Sequence, residues 1–461
     1  MPKQLARTPA RRVWTVVLAV LAIVAVAAGA LLAVPSWRAT VLPSTTVTML
    51  AAAPQGYRAP ATASPPALPL EAVTDTPAPT AKALLGRLAK LPEAAAGKTS
   101  MVVIDPQTGR TLIDRGDRPA MPASTMKLLS SVAALEALGD GRTFATTTVT
   151  PRDGVVILRG GGDPLLSDRR ATGRASLQNL AAATATALKR AGVTKVTLGY
   201  DTTLFSGGSW HRHWTDNYRY SVAPITALTV DGGRTRTGEA DRNSSRTAAK
   251  KFAARLAKAG IAVTATTSMK APDSARQLAA VQSPRVEELI AYALTNSDNT
   301  AIETLARQAA LVAGRSGDFA GASRTVRATL QRLGLWDAGM AIDDTCGLSR
   351  ENRVTAGVLA RTMRLVLTEG RLRSLLAGLP VGGVSGTLAD RFDDARERAG
   401  RGVVRAKTGS LRDVITLAGY LVTSDGAPLA FALMANEVRR ADTVRDWMDT
   451  STARWAACGC G

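Results

Sequence analysis

A serine and a lysine three residues apart, Ser124 and Lys127, are the first pair in this chain that could do chemistry together. Serine is a weak nucleophile at neutral pH unless an adjacent base takes its proton. Residues three apart share one face of a helix, so the amine could reach the hydroxyl there. Serine is also a favoured helix N-cap, and a cap alone would explain Ser124. The pair therefore predicts either an activated nucleophile or an ordinary helix start.

Two later motifs bear on this choice. Apolar residues recur at helical spacing from Met126 to Leu138, so the pair stands at the start of a predicted helix. Ser297-Asp-Asn299 joins two further helical patterns, and Lys407-Thr-Gly409 follows a short strand-like run. Short motifs match by chance when taken singly, but three in this order form a much more specific combination.

The three motifs resemble those shared by penicillin-binding proteins and class A β-lactamases. More narrowly, the chain resembles the D-alanyl-D-alanine carboxypeptidase/endopeptidase type of low-molecular-mass penicillin-binding proteins, peptidase family S13. The resemblance covers about residue 81 to the C-terminus and includes a long insert between the first two motifs. One departure is Cys346, where the family usually has serine. Further matching segments lie at residues 161–165, 201–205, 344–349 and 383–388.

The resemblance implies a role for each residue of the first two motifs. Ser124 would attack the carbonyl of the penultimate D-alanine of a peptidoglycan stem peptide and form an acyl-enzyme. Lys127 would be its base, with a pKa depressed by burial and by Lys407. Ser297 would relay the proton to the leaving D-alanine, and Asn299 would orient the substrate amide and Lys127.

The third motif is expected to bind the substrate. Lys407 would pair with the terminal carboxylate, assisted by the Thr408 hydroxyl beside Gly409. Backbone N–H groups of Ser124 and Ser410 would form the oxyanion hole. The resemblance implies no metal and no organic cofactor.

The insert contributes three further candidates. Asp216 lies in a segment that, by resemblance, approaches the active site. Its carboxylate could bind an amine of the stem peptide, and a surface salt bridge explains it equally well. His211 and His213 are the two histidines of the chain. With no third histidine and no paired cysteines nearby, they predict a surface loop or local packing and not a metal site.

The length of 461 residues suits more than one domain, and we expect an α+β fold. A β-lactamase/transpeptidase-like domain, an antiparallel sheet with helices on its faces, would consist of residues 81–147 and 284–461. A hairpin near 101–114, three strand patterns between 402 and 434 and a last helix at 443–457 fit this domain. Residues 148–283, in which short strands and helices alternate, would form an inserted α/β module.

The N-terminal segment predicts export. Basic residues precede 22 residues without a charge, at positions 13–34, which is enough to span the ~30 Å hydrocarbon core of a bilayer. We expect residues 1–34 to be a cytoplasmic basic tip with a transmembrane anchor, or a cleaved signal. Residues 35–80, rich in Ala, Pro and Thr, would be a tether. The protein would lie on the external face of the cytoplasmic membrane, or be secreted if the segment is cleaved.

The composition argues against a nucleic-acid partner. The net charge of +21 comes from 58 Lys and Arg against 37 Asp and Glu. This charge is dispersed, with no Lys/Arg-rich block and interleaved aromatics, and it suits an anionic membrane or cell-wall surface better. Cys346 is far along the chain from Cys458 and Cys460, so no disulfide framework is implied.

The sequence therefore predicts an exported serine DD-carboxypeptidase that removes the terminal D-alanine from stem peptides and is inhibited by β-lactams. DD-endopeptidase cleavage of cross-links would be a second activity of the same site. Two alternatives stay open. One is a β-lactamase, against which the long insert argues. The other is a catalytically silent cell-wall-binding protein, against which the intact motifs argue.

Overall fold

The computed structural model describes residues 76–89, 91 and 97–459. The predicted membrane segment and most of the predicted tether lie outside these residues. Among the helices of the described part, none combines the length and the apolar character that crossing a membrane requires.

The described residues form two five-stranded sheets. Strand order is β2-β1-β10-β9-β8 in the first sheet and β6-β5-β4-β3-β7 in the second, for strands numbered along the chain as follows. They are β1 (Lys98–Ile104), β2 (Thr111–Arg115), β3 (Ala145–Thr150), β4 (Val155–Arg159), β5 (Lys195–Asp201), β6 (Ala262–Ser268), β7 (Arg276–Gln282), β8 (Arg405–Leu411), β9 (Val414–Val422) and β10 (Pro428–Asn436).

Nine α-helices accompany these sheets in the described residues. They are α1 (Ala81–Leu88), α2 (Met126–Leu138), α3 (Leu177–Arg190), α4 (Ser244–Lys258), α5 (Val286–Thr295), α6 (Asn299–Val312), α7 (Phe319–Arg332), α8 (Ala356–Thr368) and α9 (Ala441–Ala456).

The first sheet is antiparallel throughout and joins distant parts of the chain. β1 pairs with β10 so that Lys98 lies opposite Asn436 and Ile104 lies opposite Ala430. Helices α2, α5, α6, α7 and α8 cover one face, and α1 and α9 cover the other. β9 and β10 are therefore buried along almost their whole length, which explains their nearly continuous apolar sequences. The predicted α+β class is confirmed.

The second sheet is mixed, and all of its strands lie between residues 145 and 282. β3 runs antiparallel to β4 and β7, whereas β4, β5 and β6 are parallel. Helices α3 and α4 share a core with it that includes Leu158, Leu198 and Phe252. The sheet begins at Ala145, so the predicted module boundary at residue 148 falls inside β3. The division into a catalytic domain and an inserted module stays a prediction.

A disulfide follows α9. Cys458 is buried and disulfide-bonded, whereas Cys346 is a buried free thiol. The sequence did not indicate this bond, because the spacing of three cysteines suggested no pairing.

Candidate active site

Ser124 lies in a short 3₁₀ turn, Ala123–Thr125, immediately before α2. The Lys127 Nζ donates a hydrogen bond to the Ser124 Oγ at 2.9 Å. No side-chain hydrogen bond caps the start of α2, so the hydroxyl binds the lysine and not the helix end. The two groups are close enough to exchange a proton.

The backbone before Ser124 has a conformation that is uncommon for a residue with a side chain. Ala123 has a φ of +47°, in the left-handed region that costs a non-glycine residue about 1–2 kcal/mol. Its carbonyl oxygen packs against Gly347, where an added Cβ would come within 1.9 Å of that oxygen. Such strain persists only where the surroundings enforce it, and here the loop of residues 343–349 holds the turn in place.

The Lys127 side chain is fully buried, and its amine has three hydrogen-bond acceptors. They are the Ser124 Oγ at 2.9 Å, the Asn299 Oδ1 at 2.5 Å and the Cys346 carbonyl oxygen at 2.7 Å. Burial lowers the pKa of Lys127, and nearby acidic groups such as Asp344 oppose this effect. A lowered pKa favours the neutral amine, which is the form that a base requires.

Ser297 lies in the turn between α5 and α6, also with a left-handed backbone, at a φ of +53°. Its Oγ accepts a hydrogen bond from the Lys407 Nζ at 3.0 Å. The N-cap of α6 is Asp298, whose carboxylate accepts from the Ala301 N–H. Helix capping therefore explains neither Ser297 nor Asn299.

Asn299 connects Lys127 to the insert. Its Oδ1 accepts from the lysine, and its Nδ2 donates to the Ser221 carbonyl oxygen at 2.9 Å. Because the amide uses both of its ends, its orientation is defined by its partners.

β8 brings Lys407 to the other side of Ser297. The Lys407 amine is fully buried and donates to the Ser297 Oγ and, at 2.8 Å, to the Thr408 carbonyl oxygen. Burial lowers the pKa of Lys407 well below its usual range, and the positive charge of Lys127 adds to this. Repulsion between like charges is reciprocal, so each amine favours the neutral form of the other.

Gly409 allows β8 to approach the turn that carries Ser124. A Cβ at this position would come within 2.1 Å of the Thr416 Oγ1, 2.9 Å of the Pro122 carbonyl oxygen and 3.0 Å of the Ser124 nitrogen. Thr416 also donates to the Pro122 carbonyl oxygen at 2.8 Å. Any side chain at position 409 would therefore separate the strand from the turn.

The N–H group of Ser410 lies on the edge of β8 that faces away from β9, its neighbour in the sheet. Ala406 donates its N–H to the Pro380 carbonyl oxygen, away from β9. Backbone N–H groups alternate between the two sides of a strand, so those of Thr408 and Ser410 share this outer edge. Their use as oxyanion donors together with the Ser124 N–H stays a prediction.

A cavity of about 280 Å³ opens at Ser124 and Ser297. Its wall carries hydroxyl groups and two cations, from the residues Ser124, Ser297, Thr387, Thr408, Ser410, Arg391 and Arg445. The buried lysines Lys127 and Lys407 lie behind the serine hydroxyls that they contact. The two arginines, which sequence reasoning missed, are therefore the cations that an incoming anionic group meets first.

Asp216 begins a 3₁₀ turn in the insert, Asp216–Tyr220. Its side chain is 76% exposed and accepts a hydrogen bond from Arg219 at 2.7 Å. Ser221, the residue after this turn, accepts a hydrogen bond from Asn299 through its carbonyl oxygen, so this segment does reach the site. Asp216 itself does not line the cavity. Binding of a substrate amine by Asp216 stays a prediction.

Asp343 completes a group with His211 and His213 whose side chains could hold a metal. The His213 Nδ1 lies 2.7 Å from Asp343, and the His211 Nε2 lies 3.6 Å from it. A metal-binding histidine normally donates its other ring N–H to an acceptor. The His211 Nδ1 instead accepts from the His213 backbone N–H, which leaves the proton on Nε2. The arrangement favours direct polar contacts with Asp343 over a metal.

The loop of residues 343–349 contributes a contact that the motifs do not reveal. The Cys346 carbonyl oxygen accepts from Lys127, and the Cys346 N–H donates to Glu303 at 2.8 Å. The thiol lies 3.6 Å from the Asp344 Oδ2. Cysteine in place of the usual serine thus leaves the backbone contacts with the site intact. Glu303 follows Asn299 by one helical turn, and that spacing is the signal that could have revealed it.

Known proteins resemble this chain over most of its length. The family model described as "D-Ala-D-Ala carboxypeptidase 3 (S13) family" matches residues 81–245 and 238–455. A carboxypeptidase of Mycobacterium tuberculosis is 36% identical over 380 residues, covering 79% of this chain and 81% of the relative. The carboxypeptidase DacB of Mycolicibacterium smegmatis is 34% identical over 422 residues, covering 87% and 89%.

The fold also matches a solved structure. Penicillin-binding protein 4 (dacB) of Haemophilus influenzae superposes with a TM-score of 0.68 at 21% identity, covering 80% of this chain and 98% of the other. That structure supports the fold, and the sequence relatives support the family. The chain belongs to the D-Ala-D-Ala carboxypeptidase 3 (S13) family.

Proposed function

We propose that this serine-type D-Ala-D-Ala carboxypeptidase removes the terminal D-alanine from peptidoglycan stem peptides, with Ser124 as nucleophile and Lys127 as base. The single observation that carries the assignment of roles is the 2.9 Å hydrogen bond between the Lys127 Nζ and the Ser124 Oγ. A fully buried lysine with a lowered pKa is the kind of amine that can accept a proton near neutral pH.

Acylation follows from these contacts. Neutral Lys127 takes the proton of Ser124 as the Oγ forms a bond to the carbonyl carbon of the penultimate D-alanine. The C–N bond to the terminal D-alanine then breaks. The proton held by Lys127 passes through the Ser297 hydroxyl, which lies against Lys407, to the leaving nitrogen, so Lys127 is neutral again before deacylation. Loss of one oxyanion donor typically costs about 10²–10³ in kcat, which makes the N–H groups of Ser124 and Ser410 important.

Deacylation returns the enzyme to its starting state. Water attacks the ester carbonyl, its proton passes to Lys127, and the Ser124 oxygen recovers a proton as it leaves. Penicillin enters the same path, since its ring amide acylates Ser124 and leaves a slowly hydrolysed ester. The β-lactams are therefore expected to act as inhibitors.

The terminal carboxylate is assigned to the end of the cavity formed by β8. The Thr408 and Ser410 hydroxyls come from this strand, and Arg391 and Arg445 line the same cavity. Arg391 is also bound to Asp449 through its Nε and Nη2, which fixes its position. Lys407 contributes its charge from behind the Ser297 hydroxyl once the substrate anion raises its pKa.

Product analysis on defined stem peptides tests this function. We expect the purified protein to release D-alanine from a pentapeptide ending in D-Ala-D-Ala, and to act at least about tenfold more slowly on its C-terminal amide, because the amide cannot form the ion pairs. Release of D-alanine from neither peptide, with stable penicillin labelling, would indicate a silent binder. Rapid penicillin turnover would indicate a β-lactamase. Cleavage of a cross-linked dimer would add the endopeptidase activity.

The cell-envelope location has a finer form that we also propose: residues 13–34 anchor the protein to the cytoplasmic membrane, with the catalytic part outside. The support is the uncharged run of 22 residues behind a basic tip. We expect the full-length protein to sediment with membranes and to resist extraction by alkaline carbonate, unlike a chain beginning at residue 35. A mature N-terminus just beyond Ala30 would contradict the anchor.

A further inference from the structure

A buried carboxylate lies behind the site, on α6. Glu303 is fully buried and does not line the cavity. Its Oε1 accepts from the N–H groups of Thr345 and Cys346, both at 2.8 Å. Its Oε2 is buried and has no hydrogen-bond partner among the described residues. Burying a carboxylate with one oxygen unpaired is costly, so the residue needs an explanation.

Glu303 holds the same residue that Lys127 contacts. The N–H of Cys346 donates to Glu303, and the carbonyl of Cys346 accepts from Lys127 at 2.7 Å. The loop is fixed at neighbouring points as well, because Ser130 donates to the Thr345 carbonyl oxygen at 2.6 Å. The carbonyl that faces Lys127 therefore has little freedom to turn away while Glu303 is in place.

Asp344 is also buried beside Lys127, but its environment differs from that of Glu303. Its two oxygens accept from four nitrogen donors, the backbone N–H groups of Gly347 and Ser349 and the side chains of Asn352 and Trp214. These donors satisfy both oxygens and fix the loop. Glu303 has two donors on one oxygen alone, so its second oxygen is left without a hydrogen-bond partner among the described residues.

We propose that Glu303 is a positioning residue for Lys127: it holds the Cys346 carbonyl against the amine and supplies a negative charge that favours the protonated amine. The inference rests on the proposed role of Lys127 as base and goes beyond it. Burial favours the neutral form of Lys127, whereas the carboxylate of Glu303 favours the protonated form. The balance of these two effects sets the pH at which Lys127 becomes available as a base.

Other ionisable groups face this pair, and all of them are unchanged in a Glu303 variant. Lys127 is faced by groups from three further elements, namely Asp344 and Cys346 in the loop, Asp298 before α6 and Lys407 on β8. Glu303 is faced by Asp344 and by Arg307, one turn further along α6. A difference between wild type and variant therefore reports the carboxylate itself.

The substitution Glu303→Gln separates charge from shape. The amide oxygen can still accept both N–H groups, whereas the negative charge is lost. The variant is expected to fold, because burial raises the pKa of Glu303 from 4.5 to about 7. Its ionisation therefore opposes folding increasingly as the pH rises through that range, and glutamine lacks this cost.

The test is the rate of acylation by a fluorescent penicillin as a function of pH, on the full-length protein. Above about pH 7 Glu303 is ionised. Removing this negative charge lowers the pKa of Lys127, so in that range the acidic limb of the E303Q profile is expected about one pH unit below that of wild type. A purely structural role would lower the rate by one factor at every pH and leave the limb in place, and that result overturns the inference.

Glu397→Gln is the matched control. Glu397 is also a buried glutamate with a pKa raised to about 7, but it is bound to Thr450 of α9 on the other face of the sheet. Its variant is expected to keep the wild-type limb. If the acidic limb of Glu303→Gln coincides with those of wild type and of Glu397→Gln, the inference is overturned, but the roles of Ser124 as nucleophile and Lys127 as base are not affected. Wild-type acylation that does not depend on Lys127 would instead overturn the proposed function.

Discussion

Replacement of Ser124 by alanine is expected to abolish both covalent penicillin labelling and D-alanine release. The Oγ is the only atom of this side chain that can form the acyl bond, and loss of a nucleophile that works with a paired base typically costs about 10⁴-fold or more. Intact-protein mass after incubation with penicillin measures the label directly. Ser124 Oγ accepts from Lys127 and caps no helix, so we expect the variant to keep its fold.

Ser131→Ala is the control for this experiment. Ser131 lies on the same helix, α2, is fully buried, and its Oγ has no hydrogen-bond partner among the described residues. It should label at the wild-type rate. Stable stoichiometric labelling of the Ser124→Ala protein would remove Ser124 from the mechanism, whatever the control shows.

Replacement of Lys127 by methionine is expected to slow acylation by about 10²–10⁴-fold, the usual contribution of a general base. Methionine approximates the lysine stem but cannot accept a proton. In wild type the base is the neutral amine of Lys127, so the acylation rate should rise as the pH passes the pKa of Lys127. Because burial lowers this pKa, the rise should occur below pH 10.5, the usual value for lysine. In the variant this rise should disappear.

Stopped-flow acylation at several penicillin concentrations separates the two ways in which Lys127→Met could act. Loss of the base lowers the limiting rate and leaves the binding constant for the preceding complex nearly unchanged. A weakened binding constant with a normal limiting rate, and an acidic limb that persists, would show that another group is the base. The melting temperature of the Lys127→Met protein shows at which assay temperatures this variant is folded.

β9 and β10 were predictable. Lys407-Thr-Gly409 was expected to follow a strand and instead lies within β8 (Arg405–Leu411), and two strands at the edge of the second sheet were not predicted. β9 and β10 show long apolar runs because helices cover both faces of their sheet, and sequence patterns report such burial well. β6 and β7 are the outer strands of the second sheet, and most of their side chains are exposed or half-buried. Their apolar side chains, such as Val263 and Val281, pack against the core only partly buried, so the alternation that marks a strand is weak.

The site shows a similar limit. Ser124, Lys127 and Lys407 were predicted because motifs record which residue types stand close together in the chain. The Cys346 carbonyl was not, since a backbone acceptor leaves no residue type to recognise. Arg445 reaches the cavity from a helix at the far end of the chain, and only the packing of α9 against the sheet brings it there.

The pairing of β1 with β10 has a consequence for how the protein must fold. Lys98 and Asn436 are neighbours in the sheet although more than three hundred residues separate them along the chain. The apolar edge of β1 that pairs with β10 therefore stays unpaired until almost the whole polypeptide has been synthesised. Contacts of such long range slow folding and expose the chain to aggregation. Penicillin labelling should therefore report only those chains that have completed this last pairing.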